Sequence, residues 1–265
     1  MASILGKLRI GLQAGNGLRL KGLGGEALHG LFFRLLRQTS PELASEIHRQ
    51  EDQRPFSLTP PLTDCELRGG YVIASPGTTL SFDLAFLSEE LFAVCVSAFL
   101  SILQDGRTVI LSRQPVVVQS VDLREGAFSS FERIISEASL SSRIVMQFVT
   151  PTSFRKNEMQ VTFPQPELVF SSLLRRWNAF SQFELPVEHL SDFASIKVSS
   201  YDLHTELVEF SKYKIIGFKG KVEYELPRDG STVFVRTVNA LAQFAIYSGV
   251  GAKTAMGMGQ VQRGT

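Results

Sequence analysis

Glu26-Ala27-Leu28-His29-Gly30-Leu31-Phe32-Phe33-Arg34-Leu35-Leu36 places apolar residues at 28, 31, 32, 35 and 36. Spacings of three and four return once per helical turn, so this stretch predicts an amphipathic helix. Upstream the period changes: residues 4–13 alternate, with Lys7, Arg9 and Gln13 among apolar neighbours, and Gly15-Asn16-Gly17 follows. That is a strand running into a turn. Downstream, Ser40-Pro41 predicts the cap and first residue of a short helix that buries Leu43 and Ile47 and ends near His48. Strands are expected over 55–65, 71–74 and 78–87, then a helix from Ser88-Glu89-Glu90 to Leu103, then a strand over 108–122 interrupted at Pro115. Residues 123–142, rich in Ser and Glu, read as a linker. The order then restarts with a strand over 143–149 and a helix over 166–183 that buries Phe170, Leu173, Leu174, Trp177 and Phe180. Strands over 198–210 and 213–226, a helix over 231–247 and a short strand at 260–262 complete it. The expected fold class is α+β, with two tandem ferredoxin-like (β-α-β-β-α-β, RRM-like) domains over 1–135 and 136–265.

Composition sets the outer bounds. The 265 residues are 44% hydrophobic and 20% charged, with mean hydropathy +0.08, which describes a packed globule and excludes a disordered chain or a small disulfide scaffold. The longest apolar run, Leu91 to Leu103, carries Ser97 and Ser101 and falls short of the ~20 residues of a spanning helix. It reads as a buried helix, and no membrane partner is expected. The first nine residues interleave Lys7 and Arg9 with apolar positions and show no export signal, so a cytoplasmic location is expected. Cys65 and Cys95 lie in apolar contexts without ligand spacing, which predicts reduced thiols and no zinc. The net charge of +1 leaves any basic surface to be found locally.

Gly249-Val250-Gly251-Ala252-Lys253-Thr254-Ala255-Met256-Gly257-Met258-Gly259 doubles a Gly-hydrophobic-Gly element around a lysine. Bare backbone at Gly249, Gly251, Gly257 and Gly259 can approach a phosphate, with Lys253 supplying charge and Thr254 beside it. A dinucleotide fingerprint fails at Thr254 and a P-loop fails at Ala252. A helix C-cap followed by a tight turn is the plainer alternative. The loop resembles the C-terminal signature of the CRISPR-associated repeat-processing endoribonucleases, members of the RAMP superfamily of tandem ferredoxin-like proteins. Leu28-His29-Gly30-Leu31, the 41–48 helix followed by Arg54-Pro55-Phe56-Ser57, and Thr150-Pro151-Thr152-Ser153-Phe154 ahead of Trp177-Asn178 are similar to the same family. The resemblance spans about Glu26 to Val261.

Of the four histidines, His48 should end a short helix, where the helix dipole favours a cation, and Arg54 follows six residues on. The resemblance implies that the catalytic histidine follows Pro41, Leu43, Ala44 and Ile47, which selects His48, with Arg54 as the accompanying cation. Some relatives carry a catalytic tyrosine where this chain has Phe33. His29, one turn earlier, can supply the missing proton-transfer group, or can be a half-buried histidine hydrogen-bonded near its helix start. His189 and His204 read as surface or strand residues, and Glu51-Asp52 as a solvated pair. The implied reaction is metal-independent and needs no cofactor: the 2′-hydroxyl attacks the adjacent phosphate and leaves 2′,3′-cyclic phosphate and 5′-hydroxyl ends. It calls for a base, an acid and a cation; which histidine is base and which acid stays open at the level of sequence.

Lys212, Lys214, Lys219 and Lys221 flank Gly217, read as the turn of a hairpin, and are candidate RNA contacts. Lysines that deter pairing at a sheet edge are the alternative. Arg155-Lys156, Arg175-Arg176, Arg19 and Lys21 are weaker candidates. The implied partner is CRISPR repeat RNA, with effector-complex subunits as further partners and a homodimer as a possible assembly. A non-catalytic crRNA-binding RAMP subunit is the competing function, but it has no need of His48 with Arg54. An unrelated RNA-recognition module would carry aromatic strand motifs that are not seen here.

Overall fold

β1 (Ile4–Gln13) buries Leu8, Ile10 and Leu12 on alternate positions, as its period of two dictates. The structure, a computed structural model, describes residues 4–50, 53–62, 65–187 and 190–264. After the glycine turn, β2 (Leu18–Lys21) leads into α1 (Gly25–Thr39), which buries Leu28, Leu31, Phe32, Phe33, Leu35 and Leu36. α2 (Pro41–Arg49) begins at its proline; Ser40 holds the cap position without a side-chain cap bond. β3 (Phe56–Leu58), β4 (Glu66–Arg68), β5 (Tyr71–Ala74), β6 (Thr79–Phe86) and α3 (Glu89–Gln104) follow. Ser88 caps α3, its Oγ accepting from the Leu91 N–H at 3.3 Å.

Three expectations are corrected in the first half. The strand over 55–65 lasts three residues as β3, because Pro60 and Pro61 have no N–H to give a ladder. The strand over 108–122 is a hairpin of β7 (Thr108–Leu111) and β8 (Gln114–Ser130), turning at Ser112 and Arg113, both with positive φ (48° and 70°). Residues 123–130, read as linker, continue β8 along β1 until Ser130 faces Ile4. α4 (Phe131–Ser136) then starts at once, with the Ser130 Oγ accepting from the Arg133 N–H at 3.1 Å.

The second half comprises β9 (Arg143–Thr152), the hairpin β10 (Phe154–Lys156) and β11 (Met159–Val161), which the sequence reading lacked, and α5 (Pro166–Phe180). β12 (Lys197–Glu209), β13 (Lys214–Glu225), α6 (Thr232–Ser248) and β14 (Val261–Arg263) complete it. The sheets run β3-β6-β1-β8-β7 and β12-β13-β9-β14. Leaving out β7, each places its first strand between the third and fourth and its second outside the third, the arrangement of a ferredoxin-like βαββαβ unit. β2, β5 and β4 form a small separate sheet.

Each large sheet has its own core. Phe131 of α4 packs its ring on Trp177 at 4.8 Å and on Phe244 at 5.5 Å; burying a ring of this size contributes roughly 1.5–3 kcal/mol. The cores trade residues: Leu5 and Leu87 pack into the second, and Ala255 into the first. Among the described residues no helix is long and apolar enough to cross a membrane.

Candidate active site

The glycine loop lies on a bed made by the end of β9. Gly259 N–H donates to Pro151 O at 3.0 Å, Ala252 N–H to Ser153 O at 2.9 Å, and Gln260 N–H to the Thr150 hydroxyl at 2.9 Å. Thr150-Pro151-Thr152-Ser153 and the loop, a hundred residues apart in sequence, are therefore one structure. Val250 N–H also donates inward, to Gly259 O at 2.8 Å. Much of the backbone read as available to phosphate is thus already bonded within the protein. The glycines serve close packing instead. At Gly251, φ is +77° and a Cβ would stand 2.5 Å from Ser153 O; at Gly259 it would run into Val250 O. Thr254 is buried, whereas Lys253 stands exposed at the loop tip.

The loop crosses to the first unit. A Cβ on Gly25, at the start of α1, would collide with Met256 O, so helix and loop meet without side chains between them. One turn along α1, His29 donates from Nδ1 to Ala255 O at 2.9 Å. A carbonyl only accepts, so this bond fixes the proton on Nδ1 and leaves Nε2 as the acceptor nitrogen. Burial holds His29 down to about 4; the bond to Ala255 opposes this, and the charges of Arg54, Lys253 and His48 reinforce it.

Phe33 links the candidates. Its ring centroid lies 4.8 Å from that of His29 and 5.8 Å from that of His48, and the Arg54 guanidinium stands 5.4 Å over it. Arg54 also donates to Ile47 O at the end of α2, beside His48. His29, Phe33 and His48 line a cleft of about 530 Å³ together with Gly30, Arg34, Arg37 and Gln38. The two arginines had not been singled out, although Arg37 lies two turns from His29 on the same helical face. The arrangement joins an uncharged imidazole with a fixed acceptor and an exposed imidazole in one open cleft, with the Arg54 guanidinium over the Phe33 ring.

The neutral state of His29 carries a stability consequence. Its folded proton affinity lies below the unfolded value of about 6.5, so the unfolded chain binds the proton first. Stability present above about pH 6.5 is lost as pH falls toward about 4, by about 3 kcal/mol in total. We expect His29→Gln to lose that much less stability than wild type between pH 7 and pH 4, measured by denaturant unfolding of both proteins. Equal losses in the two proteins would count against a neutral, buried His29.

The remaining candidates are less tightly grouped. The β12–β13 turn lies at 210–213, where Phe210 N–H donates to Tyr213 O at 2.9 Å, so Gly217 is not the turn. Gly217 sits within β13, where a Cβ would stand 2.7 Å from Thr152 N; the glycine permits close approach to β9. Lys214 pairs with Glu209 at 2.5 Å and Lys219 with Glu206 at 3.7 Å. Lys221 is exposed on β13 opposite Asp202, and Lys212 is exposed at the turn. That turn is tied to α1, because Ser211 donates from N–H and Oγ–H to Glu26 at 2.8 Å each. Lys253 stands 5.6 Å over the Tyr213 ring, so Lys212 and Lys253 share one end of the molecule with α1. His204 is exposed on β12, while His189 and Glu51-Asp52 lie outside the described residues. Arg176, grouped with surface cations from its neighbour, is buried.

Comparison with known proteins agrees with this architecture. A family profile described as CRISPR-associated endoribonuclease Cas6 matches residues 146–261. A Mycobacterium tuberculosis protein named CRISPR-associated endoribonuclease Cas6 is 27% identical over 194 residues, covering 72% of this chain and 61% of that protein. A Streptococcus thermophilus protein of the same name is 25% identical over 169 residues, 62% of this chain and 68% of that protein. A Thermus thermophilus Cas6 in a product complex superposes with a TM-score of 0.83 at 28% identity, covering 99% of this chain and 100% of that one. The likeness thus extends from the glycine loop and its β9 bed to the helix that carries His29, and over that span the chain is similar to CRISPR-associated Cas6 endoribonucleases.

Proposed function

We propose that this protein is a metal-independent endoribonuclease that cuts CRISPR repeat RNA into crRNA units, leaving 2′,3′-cyclic phosphate and 5′-hydroxyl ends. The reading assigns proton transfer to residues 1–135 and RNA grip to residues 136–265. The observation that carries it is the convergence of His29, His48 and Arg54 around Phe33, with the Nδ1–H of His29 committed to Ala255 O. Cleavage by the substrate's own 2′-hydroxyl needs three things. His29, with Nε2 free to accept, takes the 2′-OH proton. His48, exposed at the mouth of the cleft, returns a proton to the departing 5′-oxygen. Arg54 faces the phosphoryl oxygens as their charge grows. A base with affinity near 4 is weak, but a phosphodiester docked beside it raises that affinity toward the working range. Lys253 and Lys212 hold the RNA backbone from the end of α1, with Gly249, Gly251, Gly257 and Gly259 shaping the loop that carries Lys253. Cys65 and Cys95, which form no disulfide, suit a reducing cytoplasm.

The test is incubation with synthetic repeat RNA in excess EDTA, followed by analysis of the ends. Cleavage is expected to proceed and to leave a cyclic phosphate on the upstream fragment. Cleavage that stops in EDTA and returns with magnesium overturns the mechanism, and tight binding without cleavage favours an RNA-holding subunit instead.

A further inference from the structure

Arg176 lies on α5 at the spacing of its buried stripe, three residues after Leu173 and four before Phe180. Its guanidinium is wholly enclosed, and among the described residues no carboxylate pairs with it. Burial pulls its proton affinity down to about 10, and its Nε has no hydrogen-bond partner. A buried, uncompensated cation is an expensive way to fill a core position, and Leu or Met would pack there at lower cost. What the guanidinium adds is a planar fork reaching several acceptors at once. One terminal nitrogen donates to Arg54 O at 2.8 Å and Phe56 O at 3.0 Å, and the other to the Thr254 hydroxyl.

Each acceptor adjoins a member of the cleft. Arg54 is itself the candidate cation. Phe56 stacks on His29 with centroids 6.1 Å apart. Thr254 precedes Ala255, whose carbonyl holds the His29 Nδ1–H. We infer that Arg176 is a positioning residue for RNA cleavage: from the second unit, it fixes the Arg54–Phe56 segment against the glycine loop and so sets His29 and Arg54 relative to each other. It touches no substrate. The inference rests on the endoribonuclease reading above.

The experiment compares wild type, Arg176→Lys, Arg176→Met and Thr254→Val in single-turnover cleavage of repeat RNA in EDTA. RNA affinity, thermal midpoint and the pH–rate profile are measured alongside. Arg176→Lys keeps the charge but not the fork. Thr254→Val removes one acceptor with almost no change of volume, so it stays informative even if the Arg176 variants fold poorly. Misplacing reacting groups by a fraction of an ångström is expected to lower the saturating rate about tenfold or more in both Arg176→Lys and Thr254→Val. RNA affinity should stay within about threefold, because neither residue reaches the RNA. The acidic limb of the profile should rise by about one pH unit, as His29 regains solvent and moves toward ordinary imidazole behaviour. A lower thermal midpoint with unchanged rate and profile overturns the inference, since a purely structural arginine would behave that way. Wild-type protein that leaves the RNA intact overturns the functional reading and this inference with it. Wild type that cuts no faster than Thr254→Val and Arg176→Lys overturns the inference alone.

Discussion

His48→Ala lowers the single-turnover rate of repeat-RNA cleavage by roughly 10²- to 10⁴-fold, the range general acid–base catalysis supplies, while the RNA still binds. His48 is exposed in the last turn of α2, and Leu43, Ala44 and Ile47 anchor that helix without it. The change should therefore leave stability within about 0.5 kcal/mol of wild type, so that a lost rate reports chemistry and not unfolding. His29 provides the second arm. Both imidazoles contact Phe33, and a proton taken on one side of the reaction must be returned on the other. If the two act as one unit, the double variant is scarcely slower than the worse single variant, because groups acting together do not contribute additively. Multiplying rate losses would mean two independent roles. A His48→Ala protein that cuts at the wild-type rate would remove His48 from the mechanism and leave His29 with Arg54.

Repeat RNA carrying 2′-deoxyribose at the nucleotide upstream of the cut should bind normally and give no detectable cleavage, because the nucleophile itself has been removed. No group in the cleft can replace it. Phe33 brings no hydroxyl, and in the proposed mechanism the imidazoles move protons and the guanidinium meets charge. The substitution leaves the phosphate charges that dominate affinity in place, so the salt dependence of binding should not change. Cleavage at more than about a hundredth of the ribose rate would show that water is the attacking group, and the roles given to His29 and His48 would have to be rebuilt around it.

The sequence carried what is periodic. α1, α2, α3, α5 and α6 were legible because each shows an apolar stripe at helical spacing, and four of the five also open on a proline or on a serine whose side chain caps the helix. His48 and Arg54 rest on the family resemblance together with local context, and the structure sets both beside Phe33. What escaped depends on contacts between distant segments. Gly217 reads as a turn because glycine usually marks one; here it lets two strands approach closely, and only the third dimension reveals that. Thr254 reads as a phosphate contact but is occupied by Arg176. Arg176 itself was legible in principle, since it interrupts a run of core positions on α5, but its neighbour Arg175 made the pair read as a candidate RNA contact. The linker was misplaced because Ser and Glu content resembles a loop, whereas β8 needs only alternate residues to face the core.

The bond from His29 to Ala255 spans 226 positions of the chain. A growing polypeptide completes the first sheet and most of the second long before residue 255 is added, and until then the His29 ring has no carbonyl to hold its tautomer. The proposed catalytic geometry is thus among the last things this chain acquires during synthesis. A product that ends after α6 lacks that carbonyl, so under the proposed mechanism it is expected to bind repeat RNA without cutting it.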